Sequence, residues 1–88
     1  VEVTCSHSKN PALGWDVAAT AKAGTGEGIA RAQVIVNDIS AYDKSFNPSL
    51  STWQEQIPQQ GEYPGDNEVL VVITNEKDED TECLDSWS

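Results

Sequence analysis

Apolar and polar residues alternate with a period of two along most of this chain. In GWDVAATAKA, Trp15, Val17, Ala19, Ala21 and Ala23 fall on one side, and Asp16, Thr20 and Lys22 on the other. IARAQVIVND repeats the pattern, with Ala30, Ala32, Val34 and Val36 against Arg31, Gln33 and Asn37. Successive side chains of a strand point to opposite faces, so this alternation predicts half-buried β-strands. Ile29 and Ile35 interrupt the second run and predict partial cover on both of its faces. EVLVVITNE goes further, with Val69, Val71 and Ile73 on one side and Leu70 and Val72 on the other, the pattern of a central strand.

VEVTCSH and TECLDSW read as shorter strands near the two ends of the chain. SAYDKSF and STWQEQI are weaker strand candidates, anchored by Tyr42 and Phe46 and by Trp53. Turn residues cluster in KNPALG, GTGEG, FNPS, QQGEYPGDN and EKDED. No window places apolar residues at helical spacing between a cap and a stop. About seven short strands with turns at this spacing predict an all-β, antiparallel β-sandwich, with residues 1–88 as one domain.

Composition narrows the function classes. A chain of 88 residues lies near the small end of what one core can stabilise, and its 38% of hydrophobic residues is adequate when they alternate along paired strands. The net charge of −10, from 15 acids and 5 bases, repels phosphate backbones and anionic membrane surfaces. Nucleic-acid binding driven by counterion release is therefore excluded, and no membrane partner is expected. No apolar run approaches the roughly 18 residues of a spanning helix, and no signal-peptide pattern is present. Nine of the acids lie from Glu62 onward, opposed there only by Lys77. The plain reading is a solvated acidic surface; the sharper one is a cation site or a basic partner.

Cys5 and Cys83 stand too far apart for a CxxC redox or zinc motif, and His7 is the single histidine. The favoured arrangement is a disulfide pinning the first strand to the last; two free thiols are the alternative. In the chain-entropy model, closing so long a loop stabilises by about 4–5 kcal/mol. A disulfide places the chain in an oxidising setting: extracellular, periplasmic or at a cell surface.

The ordered pieces WDVAATAKAGTGEGIARAQVIVND, STWQEQIP and GDNEVLVVITNEKDEDTE resemble bacterial Ig-like domains of surface and secreted proteins. In that family a V-x-A-x-A strand leads through a short Gly/Asp loop to G-I-A-x-V-x-V-x-V-[ND]. A tryptophan-bearing strand, a turn and an h-x-V-x-V-x-A-x-D strand follow. The resemblance covers roughly residues 13–85. It implies an Ig-like fold used for spacing, adhesion or accessory binding, with a protein or glycan partner or neighbouring domains of a longer chain. Fold alone does not set function.

Candidate chemistry is sparse. GTGEG lacks the third glycine of GxGxxG and the GK[ST] of a P-loop. A strand pattern rather than a helix follows it, and Glu27 puts a negative charge where a phosphate would sit. In NEKDEDTE, Asp78 and Asp80 have calcium-loop spacing, but Glu82 takes the fifth position and Cys83 that of the required glycine. Some members of the resembled family hold calcium with an Asp ending the penultimate strand and an acid near the glycine loop. Asn75 and Glu27 occupy those places here. Asn75, Asp78 and Asp80 are thus the metal candidates, with Ca²⁺ the implied ion; a charged hairpin tip that blunts edge association is the plainer reading.

Ser6 and Ser8 flank His7, but neighbours on a strand point to opposite faces, which does not make a nucleophile–base pair. Spacing does not decide whether two of the 15 acids pair for glycoside hydrolysis, but a small sandwich rarely holds a deep cleft. Of the three tryptophans, Trp15 leads an inward-facing run and reads as core, whereas Trp53 and Trp87 are the ligand-binding candidates. No N-x-[ST] sequon is usable, since Pro48 follows Asn47. Together these readings predict a non-catalytic extracellular Ig-like interaction or structural module without a required cofactor. The alternatives are a calcium-dependent adhesive or spacer repeat and a carbohydrate-binding accessory domain of a secreted enzyme.

Overall fold

The computed structural model describes residues 1–10, 14–60 and 65–88. Their seven antiparallel strands are β1 (Glu2–Asn10), β2 (Gly14–Lys22), β3 (Ile29–Val36), β4 (Ile39–Leu50), β5 (Thr52–Gln60), β6 (Asn67–Asn75) and β7 (Asp80–Trp87). They form a three-stranded sheet, β1-β2-β5, and a four-stranded sheet, β4-β3-β6-β7. The all-β sandwich expected from the alternation is therefore what the chain forms, with no helix among the described residues.

Alternation also selects the core. Val17, Ala19 and Ala21 of β2 face Ala32, Val34 and Val36 of β3 and Val69, Val71 and Ile73 of β6, and all are buried. β3 and β6 are each paired on both sides, which is why they are the most apolar segments.

Three local features depart from the alternation. On β3, Ile29 rather than Ala30 is fully buried. A bulge between Ile29 and Arg31, present in the pairing with both β4 and β6, adds a residue and turns Ile29 inward. FNPS is not a turn but lies within β4, with a cis Asn47–Pro48 bond. β4 is an edge strand, and the register jumps from Ser45 to Leu50 opposite β3, so Pro48 interrupts no ladder bond. Finally, β3 and β4 join through a two-residue turn at Asn37 and Asp38, both at positive φ, the geometry of a tight hairpin. The turns expected in KNPALG and QQGEYPGDN fall partly on residues 11–13 and 61–64, outside the described residues.

GTGEG carries the chain from β2 in one sheet to β3 in the other. Gly26 sits at φ +77°, open to glycine without strain. Gly28 is required for a different reason: a Cβ there would run into Ser49 Oγ and Glu76 Oε1. Its carbonyl accepts the Glu76 N–H at 3.0 Å, drawing the β6–β7 turn against the loop. The glycines thus make a crossover between sheets.

Candidate functional site

Chemistry-bearing side chains gather along the side of the sandwich where β1 meets β7. Both strands are edges of their sheets, and they run in parallel across the gap. Cys5 and Cys83 lie on inward-facing positions, opposite Ala19 of β2 and Val71 of β6. They form the disulfide, with their Cα atoms 6.0 Å apart. Cys5 and Cys83 are thereby oxidised, and no cysteine is free.

Two residues further along each strand the same faces meet again. His7 Nδ1 lies 2.6 Å from Asp85 Oδ2. A carboxylate only accepts, so Nδ1 carries the proton and donates it. Two residues beyond Asp85, Trp87 stacks on the His7 ring at 4.4 Å with an interplanar angle of 14°. Trp15 closes the group, 5.5 Å edge-on to His7 and 5.4 Å from Trp87. Lys9 Nζ sits 5.1 Å from the Trp15 ring centroid, within cation–π range.

Among the described residues, this cluster holds a His–Asp pair but no nucleophile to go with it. Ser6 and Ser8 alternate with His7 and are exposed on the other side of β1. The indole N–H groups of Trp15 and Trp87 are shielded from solvent and lack a hydrogen-bond partner among the described residues. The arrangement puts a covalent bond, a His–Asp hydrogen bond and a ring stack on successive inward positions of two edge strands.

Trp87 also borders an open cavity of about 740 Å³ at this end of the four-stranded sheet, with Asn37, Asp38, Asp66, Asn67 and Glu68. Asn37 shapes its wall: its side chain accepts the Glu68 N–H at 2.9 Å and donates to Asn67 Oδ1 at 3.1 Å. The other tryptophan candidate lies elsewhere. Trp53 is only 6% exposed, and its Nε1–H points to Tyr42 Oη at 3.4 Å. It packs in the hydrophobic core.

The metal candidates sit at the opposite end, in the β6–β7 turn. Asn75 is buried, and its Oδ1 accepts the N–H groups of Lys77 (2.8 Å) and Glu79 (2.9 Å). Its Nδ2 donates to Glu79 Oε1 at 3.0 Å. The side chain is thus committed to shaping the turn. Asp80 accepts from the Thr74 hydroxyl at 2.8 Å, while Asp78 is exposed at φ 61°. Glu27, from the glycine loop, pairs with the Val1 ammonium at 2.8 Å, which holds its carboxyl below the usual range. No group of three or more His, Cys, Asp or Glu side chains converges as a metal set among the described residues.

A signal for the β1–β7 cluster was present in the sequence. Once Cys5 is paired with Cys83 in parallel strands, adding two to each number gives His7 and Asp85, and adding four gives Lys9 and Trp87. Comparison of the chain with family models, with curated proteins and with solved structures finds no match.

Proposed function

We propose that the chain is a non-catalytic interaction or structural module of an extracellular protein, of the kind the bacterial Ig-like resemblance implies. The observation that carries this reading is the Cys5–Cys83 disulfide between the outermost strands of the two sheets. A bond of that type persists where thiols are kept oxidised and suits a small domain that must hold its shape outside the cell.

Intact-mass measurement with thiol alkylation, under denaturing and non-reducing conditions, tests the reading on protein exported to an oxidising compartment. The expected product carries no label. Two labelled cysteines would overturn the bridge and the extracellular assignment with it.

A second reading, a carbohydrate-binding accessory domain, is favoured by one observation: the Trp87 ring borders a cavity rich in acid and amide side chains. Sugar rings stack on such indoles while their hydroxyls bond the polar groups. Saturable quenching of tryptophan fluorescence by oligosaccharides, lost in Trp87→Ala, is the result that would favour it over the first reading.

A further inference from the structure

The outer face of the four-stranded sheet carries an apolar row that no other described strand covers. Ile35 of β3 lies opposite Leu70 of β6, and Leu70 opposite Leu84 of β7. Their chain neighbours Val34, Val71 and Cys83 are turned inward, so these three point outward. Val72 adjoins them on β6 but is itself buried, at 9% exposure. Cross-strand pairing accounts for Ile35 and Leu70, which are half-buried side by side. It does not account for Leu84, which has no strand beyond it and is 61% exposed. Single exposed apolar residues are ordinary, whereas three in register on adjoining strands form a continuous stripe of the kind found at contact sites.

The surrounding charges select the occupant. One flanking row runs Asp43, Gln33, Val72, Glu82, and the next runs Ser45, Arg31, Thr74, Asp80. On the other side Glu68 lies opposite Ser86. Arg31 is the one cation among the described residues of this face. Asp43 already holds it through hydrogen bonds of 2.9 Å and 2.7 Å, leaving Glu68, Asp80 and Glu82 to set the sign of the rim. A second copy of a chain with net charge −10 would bring the same acids against themselves.

We propose that this face docks a protein partner whose contacting segment presents apolar side chains flanked by lysine or arginine. The proposal rests on the interaction-module reading and names the partner chemistry for it. Apolar burial along the stripe supplies attraction, and the acidic rim supplies orientation and discrimination.

The test uses three short, end-capped peptides as probes, LKLKLKL, KKKKKKK and LELELEL, titrated into the whole isotope-labelled chain and followed through its backbone amide NMR signals. LKLKLKL is expected to give saturable shifts centred on Ile35, Leu70, Val72 and Leu84. Leu84→Lys, a change at an exposed side chain, should weaken that binding about tenfold or more. Glu82→Lys, which keeps the stripe and reverses one rim charge, should weaken it as well.

An equal response to KKKKKKK or LELELEL would overturn the proposal, as would shifts centred on the Trp87 cavity, no saturable shift at all, or self-association of the chain without peptide. Each of those results leaves the disulfide-stapled module standing, because that reading is decided by the thiol-labelling and oligosaccharide experiments rather than by peptide binding.

Discussion

Along one open side of the sandwich, β1 and β7 are joined by a disulfide, a His–Asp hydrogen bond and a stacked ring pair. Along the other, β4 and β5 meet through Trp53 and Tyr42, whose ring centroids lie 5.7 Å apart and whose Nε1–H and Oη are joined by a 3.4 Å hydrogen bond. The difference follows from chain order. β4 and β5 are separated by Ser51 alone, so bringing them together costs little loop entropy. β1 and β7 come from opposite ends of the chain, and the residues they bring together are 78 positions apart. Connectivity holds one side of the sandwich, and the disulfide links the other.

Breaking that link is the severest way to test the contrast. Replacing Cys5 and Cys83 by alanine, or reducing them, should cost about 4–5 kcal/mol in the chain-entropy model. Domains of this size are stable by only about 5–15 kcal/mol, so the loss takes much of the total. Urea titration of the oxidised and reduced chain measures it directly. The expected result is a much lower midpoint for the reduced chain; an unchanged midpoint would show that packing, not the bridge, closes the β1–β7 side.

On the packed side the corresponding change is Trp53→Ala. Truncating a buried tryptophan costs about 3–5 kcal/mol through lost transfer energy and the cavity left behind. Here the disulfide remains, so the expected outcome is a lower thermal midpoint with Cys5 and Cys83 still resistant to alkylation. Equal stability of Trp53→Ala and the parent chain would mean that the β4–β5 side contributes little beyond its short connection.

The same contrast explains what the sequence made legible. Alternation is local, so it put Val17, Ala19 and Ala21 on one face of β2, which is buried, but on β6 it showed apolar residues on both faces without telling the fully buried Val69, Val71 and Ile73 from the half-buried Leu70. The Cys5–Cys83 pair was legible because few other arrangements suit two distant cysteines. The burial of Ile29 was not, since the bulge that turns it inward depends on how β4 and β6 pair with β3. FNPS misled because proline marks turns in general, while an edge strand with a register jump accommodates Pro48. Asn37-Asp38 was legible in principle: both residue types tolerate positive φ between alternating segments. His7, Asp85 and Trp87 form a group only through the parallel approach of β1 and β7, information that no single strand contains.

The smallest expected effect concerns how β4 is held against β3. Arg31 grips Asp43 through two hydrogen bonds, which raises the affinity of the guanidinium for its proton and holds the Asp43 carboxyl below its ordinary value of 3.8. Because the folded-state value is depressed, the stabilisation is fully present above the ordinary value. It is lost as pH falls through the lower, folded one. Both side chains are substantially exposed, so solvent screens the pair and its contribution is modest. Hydrogen exchange of the β4 amides, followed from pH 6 downward and corrected for intrinsic rates, should show protection beginning to fall below about pH 4. Asp43→Asn should remove that part of the pH dependence and leave the amides of β1 and β7 unchanged. A fall shared equally by β1 and β7 would place the acid-sensitive group elsewhere, and the two sides of the sandwich would then open together rather than independently.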